Sequence, residues 1–213
     1  MLKVENVEVW GLEHSIRGMR NPMNSWYKSD SELDYNCYTE TTSFKIGKND
    51  LELMQKLYKA GTEHRKYLRF IHVSMDIIAP MYWYKEFDTY KVGVSRNSCS
   101  TMHTIHKKKF ELDDFSYEHL NSESVNRLEF LLELLNIYRE SYIVSQDKQD
   151  WWQMIQLLPS SYNQRSTINM NYENVANIIH QRTGHKLDEW GTFIKELKCL
   201  PYIGEIMGDV KTE

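Results

Sequence analysis

Cysteine is scarce in this chain of 213 residues: Cys37, Cys99 and Cys199 are all there is. An odd number without a CxxC spacing indicates neither a disulfide framework nor a zinc site, and it suits a reducing compartment. Glycine (9) and proline (4) are also sparse, which excludes collagen-like and low-complexity chains. Positive charge is not in surplus. With 26 Lys and Arg against 30 Asp and Glu, the formal net charge is −4. A polynucleotide track needs many cations on one face, so nucleic acid polymers are not expected partners. No apolar run reaches membrane-spanning length, and MLKVENVEVWGLEH has no continuous apolar stretch of the signal-peptide kind. The expectation is a cytoplasmic protein without a membrane association.

What is present is a folding composition: 41% hydrophobic, 26% charged, and 13% aromatic with 14 Tyr and 6 Trp. Rings in that number serve cores, subunit interfaces or the walls of sites for flat ligands. The length suits a single domain spanning 1–213.

Alternation over residues 2–9 predicts a strand. The turn-rich 11–30 reads as a loop or short helix carrying Arg17 and Arg20. Asn49 and Asp50 can cap a helix whose apolar face is Leu51, Met54, Leu57 and Tyr58, with Gly61 as its stop. YLRFIHVSMDIIAP (67–80) is β-branched and aromatic, hence a strand, central at its C-terminal half. Pro80 suits the start of the next helix, through Asp88. VGVSRNSCSTMH (92–103) reads as a functional loop. A long amphipathic helix is expected from Glu123 to Val144, capped by Ser122 or Ser124, then a second helix (WWQMIQLL) ended by Pro159. SYNQRSTINM is extended, a helix runs from Asn171 to about Arg182, Gly184 breaks it, and a last helix covers about Lys186 to Leu200. Together these elements predict an α+β fold: a mixed α/β core with a central sheet and long helices.

Four groups of residues could carry chemistry. His103 and His106 lie three apart but lack a third ligand, so surface histidine is the simpler reading and no metal site is expected. His64, Arg65, Lys66 and Arg69 could cradle a phosphate, or form a solvated turn. Cys99, near His103 and His106, could be a nucleophile if an imidazole lowered its pKa, or an inert thiol. Asn171, Asn174, Asn177 and Arg182 occur at helical spacings, which suits a base edge, a ribose and a phosphate, or else a capped surface helix.

Two of these stretches together resemble the flavin-dependent thymidylate synthases. In LPSSYNQRSTINMNYENVANIIHQR (158–182), Pro159, Asn171, Asn177 and Arg182 follow the family's order of an LP dipeptide, a helix-opening Asn, a second Asn and a closing Arg. Residues 64–103 are similar to the block before it, with a His-containing turn, a strand ending in Ala79-Pro80 and a helix leading to a signature segment. The likeness spans roughly residues 49 to 200, with a Ser-x-Arg segment at Ser15. Departures lie in the signature. The family's Gln falls on Glu86, its Arg-His-Arg on Thr89-Tyr90-Lys91, and its Arg-Tyr on Met102-His103. Ile155 and Glu173 occupy two further Arg positions. The signature Asn falls on Asn97, and its Ser on Ser100 with one residue inserted, or on Cys99 without.

The resemblance implies a thymidylate synthase complementing protein-like fold and a homotetramer with sites at subunit interfaces. It implies FAD as cofactor, with NADPH and methylenetetrahydrofolate as co-substrates, and reductive methylation at C5 of dUMP or a related pyrimidine nucleotide. On that basis Asn171, Asn177 and His64 contact FAD, with Arg65 and Lys66 beside the phosphates and Lys91 keeping part of the flavin-facing charge. Ser100 (or Cys99) and Arg182 face the nucleotide, with Glu86 and Asn97 near it and Arg96 as a substitute cation. The alternative is a flavin- or nucleotide-binding homologue whose catalysis has been lost or changed.

Overall fold

The computed structural model describes residues 2–36 and 41–208. Cys37 therefore lies outside the described residues. Among these, the strands are β1 (Lys3–Trp10), β2 (Glu32–Asn36), β3 (Thr41–Lys45), β4 (His72–Pro80), β5 (Ser95–Ser98) and β6 (Asn163–Asn171). The helices are α1 (Leu12–Arg20), α2 (Lys48–Lys59), α3 (Met81–Phe87), α4 (Thr101–Thr104), α5 (Ser122–Ser145), α6 (Lys148–Leu157), α7 (Tyr172–Arg182), α8 (Asp188–Lys198) and α9 (Ile203–Met207). One sheet has the order β1-β4-β6-β5, and a separate two-stranded sheet pairs β2 with β3 in antiparallel fashion, Leu33 opposite Phe44. The α+β class with a central sheet holds.

Strand β4 is central, as its β-branched sequence predicts. Val73, Met75, Ile77 and Ala79 are buried and alternate with half-buried neighbours, the period-two pattern of a strand with one fully covered face. It begins later than the sequence suggests. Arg65–Phe70 form a 3-10 turn, because Tyr67 and Leu68 bury on adjacent positions and Ile71 N–H closes on the Leu68 carbonyl. The loop expected over 92–103 contains β5 and α4, whose polar residues carry no apolar period. The β2–β3 pair escaped the sequence reading for the same reason.

The chain divides into two compact units. The first unit comprises residues 1–5, 76–91 and 96–168. Its helical core sets Leu128, Leu132 and Leu135 of α5 against Met154 of α6, with Ile105, Phe110 and Phe115. Helix α5 starts where Asn121 accepts from Ser124 N–H, so the cap is Asn121 and neither Ser122 nor Ser124. Helix α6 starts where the Asp147 carboxylate accepts from Gln149 N–H.

The second unit comprises residues 6–75, 92–95 and 169–213. Its core includes Met54, Leu68 and Ile71 with Val175, Ile178, Trp190 and Phe193, all close to fully buried. Helix α2 is capped from outside itself. Gly47 is the N-cap, and the Asp30 carboxylate accepts from both Asn49 N–H (2.9 Å) and Asp50 N–H (3.1 Å). A Cβ on Gly47 would lie 2.3 Å from the Asp30 backbone oxygen, so only glycine permits this approach. Asp50 is then free to serve elsewhere. Fully buried, it accepts from Arg20 Nε (2.6 Å), Ser29 Oγ (2.7 Å), Ser31 Oγ (2.6 Å) and the amides of Asp30 and Ser31 (3.1 Å each).

Burial alone would raise the Asp50 pKa, but the hydrogen bonds from Ser31, Ser29, Arg20 and Asp30 outweigh it and hold the carboxyl below 3.8. A depressed folded pKa contributes stability that is complete above the unfolded value and is lost as pH falls through the folded one. Asp50→Ala is expected to cost about 3–5 kcal/mol, because it strands the Arg20 charge in the interior. Urea unfolding at pH 7 measures that loss. Repeating it for Asp50→Asn between about pH 5 and pH 2 should show a weaker acid dependence than the parent.

Candidate functional site

In the second unit the candidate residues gather on the first turns of α7. Asn171 and Asn174 form a capping box: Asn171 Oδ1 accepts from Asn174 N–H at 3.0 Å, and Asn174 Oδ1 from Asn171 N–H at 3.4 Å. Asn174 Nδ2 also donates to the Val92 carbonyl at 2.8 Å, drawing segment 92–95 against the helix start. Gly93 makes the approach possible. Its φ is +76°, and a Cβ there would lie 2.8 Å from Asn171 Nδ2 and 3.0 Å from Asn174 Oδ1. The sequence signal for this clasp is modest: an Asn-x-x-Asn pair, plus one glycine in a loop.

One turn along α7, Asn177 Oδ1 accepts from Arg65 Nη2 at 3.2 Å. Arg65 and Asn177 are thus brought together although 112 positions apart. Glu173 enters the same cluster. Its Oε1 is 3.5 Å from Arg65 Nε, and its other oxygen accepts from Arg69 Nε. The carboxylate thus offsets the charge of two arginines that otherwise suit a phosphate. Arg65 is sandwiched further by the Tyr58 ring, 5.4 Å from its guanidinium carbon. Its Nε is buried and faces the Glu173 carboxylate without hydrogen-bond geometry to any partner among the described residues.

Other predicted residues of this unit lie apart from that cluster. His64 and Lys66 are exposed on the 3-10 turn. Arg182, at the last turn of α7, stacks its guanidinium 4.7 Å above the Trp190 ring, which rigidifies its stem. Asn171 is used as the helix cap, the role that the plain reading of its position gives it.

In the first unit, Arg96 is the most heavily engaged of the candidates. Its Nε and Nη2 lie 2.9 Å from the two oxygens of Asp88, a bidentate pair. Nη1 donates to Ser166 Oγ at 3.1 Å and approaches Gln164 Oε1 at 3.4 Å. The guanidinium also covers the Tyr84 ring at 4.5 Å. Burial pushes the Tyr84 phenol up to about 12, so it stays protonated and donates to the Ile77 carbonyl at 2.8 Å. Little of the Arg96 fork remains for a ligand.

Ser100 Oγ accepts from His103 N–H at 3.2 Å as the cap of α4, and its hydroxyl proton stays available to a further acceptor. Cys99 is exposed, with its backbone N–H on the Arg165 carbonyl and its carbonyl accepting from Gln164 Nε2. Asn97 is exposed on β5, Lys91 is exposed beyond α3, and Glu86 is half-buried on α3. His103 is the nearest imidazole in sequence to Cys99, and its backbone, through Ser100, is what the structure uses. Among the described residues no group of three or more His, Cys, Asp or Glu could hold a metal ion, and no helix is long and apolar enough to cross a membrane.

No protein-family model and no curated protein sequence matches the chain. Solved structures do. Thymidylate synthase X (ThyX) from Helicobacter pylori, crystallised with FAD and dUMP at 2.31 Å, is similar over 97% of this chain and 97% of its own, with a TM-score of 0.66 and 17% identity. A second structure, flavin-dependent thymidylate synthase ThyX from Helicobacter pylori complexed with FAD and dUMP, covers 96% of this chain and 97% of its own at TM-score 0.66 and 18% identity. Near-complete coverage of both chains at so low an identity is conservation of architecture, with most side chains replaced. The chain therefore has the fold of the flavin-dependent thymidylate synthases.

Proposed function

We propose that this protein binds FAD and a pyrimidine nucleotide and catalyses reductive methylation at C5 of dUMP or a close relative. The observation that carries the reading is the Arg65–Asn177 contact on α7, a helix capped by Asn171, on a fold whose solved relatives hold FAD and dUMP. The residues fit the cofactor on their own chemistry. The Arg65 guanidinium, shared with Glu173, and the amide NH2 of Asn177 are donors suited to flavin carbonyls or phosphate oxygens. His64 and Lys66 supply exposed donors on the same turn, and Lys91 is assigned to the flavin on the family resemblance.

Bound FAD would supply hydride chemistry, with NADPH as reductant and methylenetetrahydrofolate as one-carbon donor. The chain's own contribution is binding and electrostatics. Arg182, held by Trp190, serves as the cation that steadies negative charge developing on a pyrimidine carbonyl or its phosphate. Ser100 donates its hydroxyl proton to the nucleotide while its lone pair holds the α4 turn. Glu86 and Asn97 line the nucleotide side, and Cys99 stands beside Ser100 as the other candidate at that position. Arg96 acts as a positioning residue, since its donors already hold Asp88, Ser166 and Tyr84 in place.

That engagement of Arg96, with Thr89 at an Arg and Tyr90 at the His of the signature, favours a second reading: a flavin- and nucleotide-binding protein that has lost or changed its catalytic activity. A homotetramer with sites at subunit contacts belongs to the proposal, as does a cytoplasmic setting. Support for assembly comes from α5, where Phe130, Leu134 and Ile137 form an exposed apolar stripe at four- and three-residue steps, with Val144 two turns further on.

Titration with FAD should give a yellow complex, and Asn177→Ala or Gly93→Ala should weaken it about tenfold, roughly 1.4 kcal/mol. A protein that stays colourless at saturating FAD overturns the cofactor assignment. Tritium release from dUMP labelled at C5 distinguishes the two readings. Under the first, Arg182→Ala should lower the rate by about 100-fold or more; under the second, no release occurs despite flavin binding. For the assembly, Ile137→Asp should shift the light-scattering mass to a smaller species.

A further inference from the structure

The first unit holds a cavity of about 510 Å³, lined by Met102 and His103 of α4, Tyr142 and Gln146 at the end of α5, and Lys148 and Trp151 of α6. The size is that of a small-molecule site. Met102 and His103 fall at signature positions of the resembled family, but the proposed flavin and nucleotide chemistry gives no role to them or to the other lining residues, so the inference is tested apart from that reading.

Its two aromatic walls are held in orientation. The Trp151 indole N–H donates to the Met102 carbonyl at 3.2 Å, which ties α6 to α4, and Trp152 meets the same ring edge-on at 4.8 Å. The His106 ring packs edge-on against Tyr142 at 5.1 Å. Fixed rings of this kind lose little entropy when a flat ligand stacks on them.

The polar groups define the rest of the ligand. Lys148 has no carboxylate within ion-pair distance among the described residues, and its ammonium lies 5.9 Å from the Trp152 ring. The acids closest in sequence are occupied: Asp147 caps α6 through Gln149 N–H, and Asp150 accepts from Ser141 Oγ (2.5 Å) and Ser145 Oγ (3.4 Å). Lys148 is thus a cation left for an anionic partner, with the His103 imidazole also on the lining. Gln146 has φ +56° as the C-cap of α5, and its Nε2 is committed to the carbonyls of Tyr142 (3.0 Å) and Ile143 (3.2 Å). Its amide oxygen is the end left to accept a hydrogen bond. There is no arginine fork, and the Asp147 carboxylate occupies the α6 N-terminus, so the features that favour phosphate are missing from the lining.

We infer that this cavity binds a small planar aromatic acid: a ring stacked on Trp151 and Tyr142, a ring N–H or hydroxyl donated to Gln146, and a carboxylate paired with Lys148. Isothermal titration of the full chain, without FAD or nucleotide, tests it with indole-3-carboxylate as probe. Binding is expected with a dissociation constant below about 1 mM, and uncharged indole should bind at least about tenfold more weakly. Lys148→Met, a change at an exposed position, should bring indole-3-carboxylate down to the level of indole, and Trp151→Leu should abolish binding of both. Adding salt should weaken the acid and leave indole unchanged. Three results overturn the inference: no binding of indole-3-carboxylate, unaltered binding by a folded Lys148→Met variant, or displacement of the probe by equimolar UMP. The last would return the cavity to a nucleotide site. Failure of FAD titration leaves the inference intact, because neither the probe nor the variants involve the α7 cluster.

Discussion

Helix α7 begins where it does because Asn171 and Asn174 exchange hydrogen bonds across its first turn, and the candidate cofactor cluster depends on that register. A helix repeats every 3.6 residues, so fixing its first residue fixes which face carries Glu173, Asn177 and Arg182. The apolar remainder, Val175, Ile178 and Ile179, is then committed to the core. Gly93 and Val92 complete the arrangement by leaning on the two asparagines, an approach that any side chain at Gly93 would prevent. Slipping this start by one residue would turn the polar groups inward and the isoleucines outward, at a cost in burial and unsatisfied amides that no local contact could offset.

Charge is managed in the same economical way. Glu173 stands where the resembled family has arginine, yet it does not leave the region without cations. It draws Arg65 and Arg69 to itself. The net field around the cluster is therefore weaker than the count of basic residues in EHRKYLR suggests, while hydrogen-bond donors remain. Such a site recognises a ligand more by the placement of N–H groups than by gross attraction. Arg96 shows the opposite outcome in the first unit: a cation that looks free in the sequence is spent on Asp88, Ser166 and the Tyr84 ring.

The aromatic excess also sorts itself by environment. Trp83, Tyr84 and Phe87 are buried on α3 and pack on one another, Trp83 and Phe87 stacked with centroids 5.0 Å apart and Tyr84 edge-on to both. Trp190 and Tyr172 are core residues of the second unit. Trp151 and Trp152 differ, since they stay partly exposed, and Trp151 lines a cavity whose Lys148 has no carboxylate partner among the described residues. Composition could announce the rings but not divide them between these roles, because burial depends on what each helix face meets.

From the sequence alone came the α+β class, the strand ending in Ala79-Pro80, the long α5, the extended segment before Asn171, and the Asn171 cap itself. These are written in local periodicity and in capping chemistry, which act over a few residues. Strands β2 and β5 were not legible, being short and polar, and neither was the cap of α2. There the carboxylate comes from Asp30, and the Asp50 that looked like a cap is buried against Arg20. The same limit applies to the sites. Asn171, Asn177 and Arg182 could be picked from their spacing, whereas the pairing of Arg65 with Asn177, separated by 112 positions, could not. Nor could the diversion of Arg96, or a cavity assembled from three helices. A side chain's donors go to whatever acceptor the folded chain brings near, and only the tertiary structure decides that.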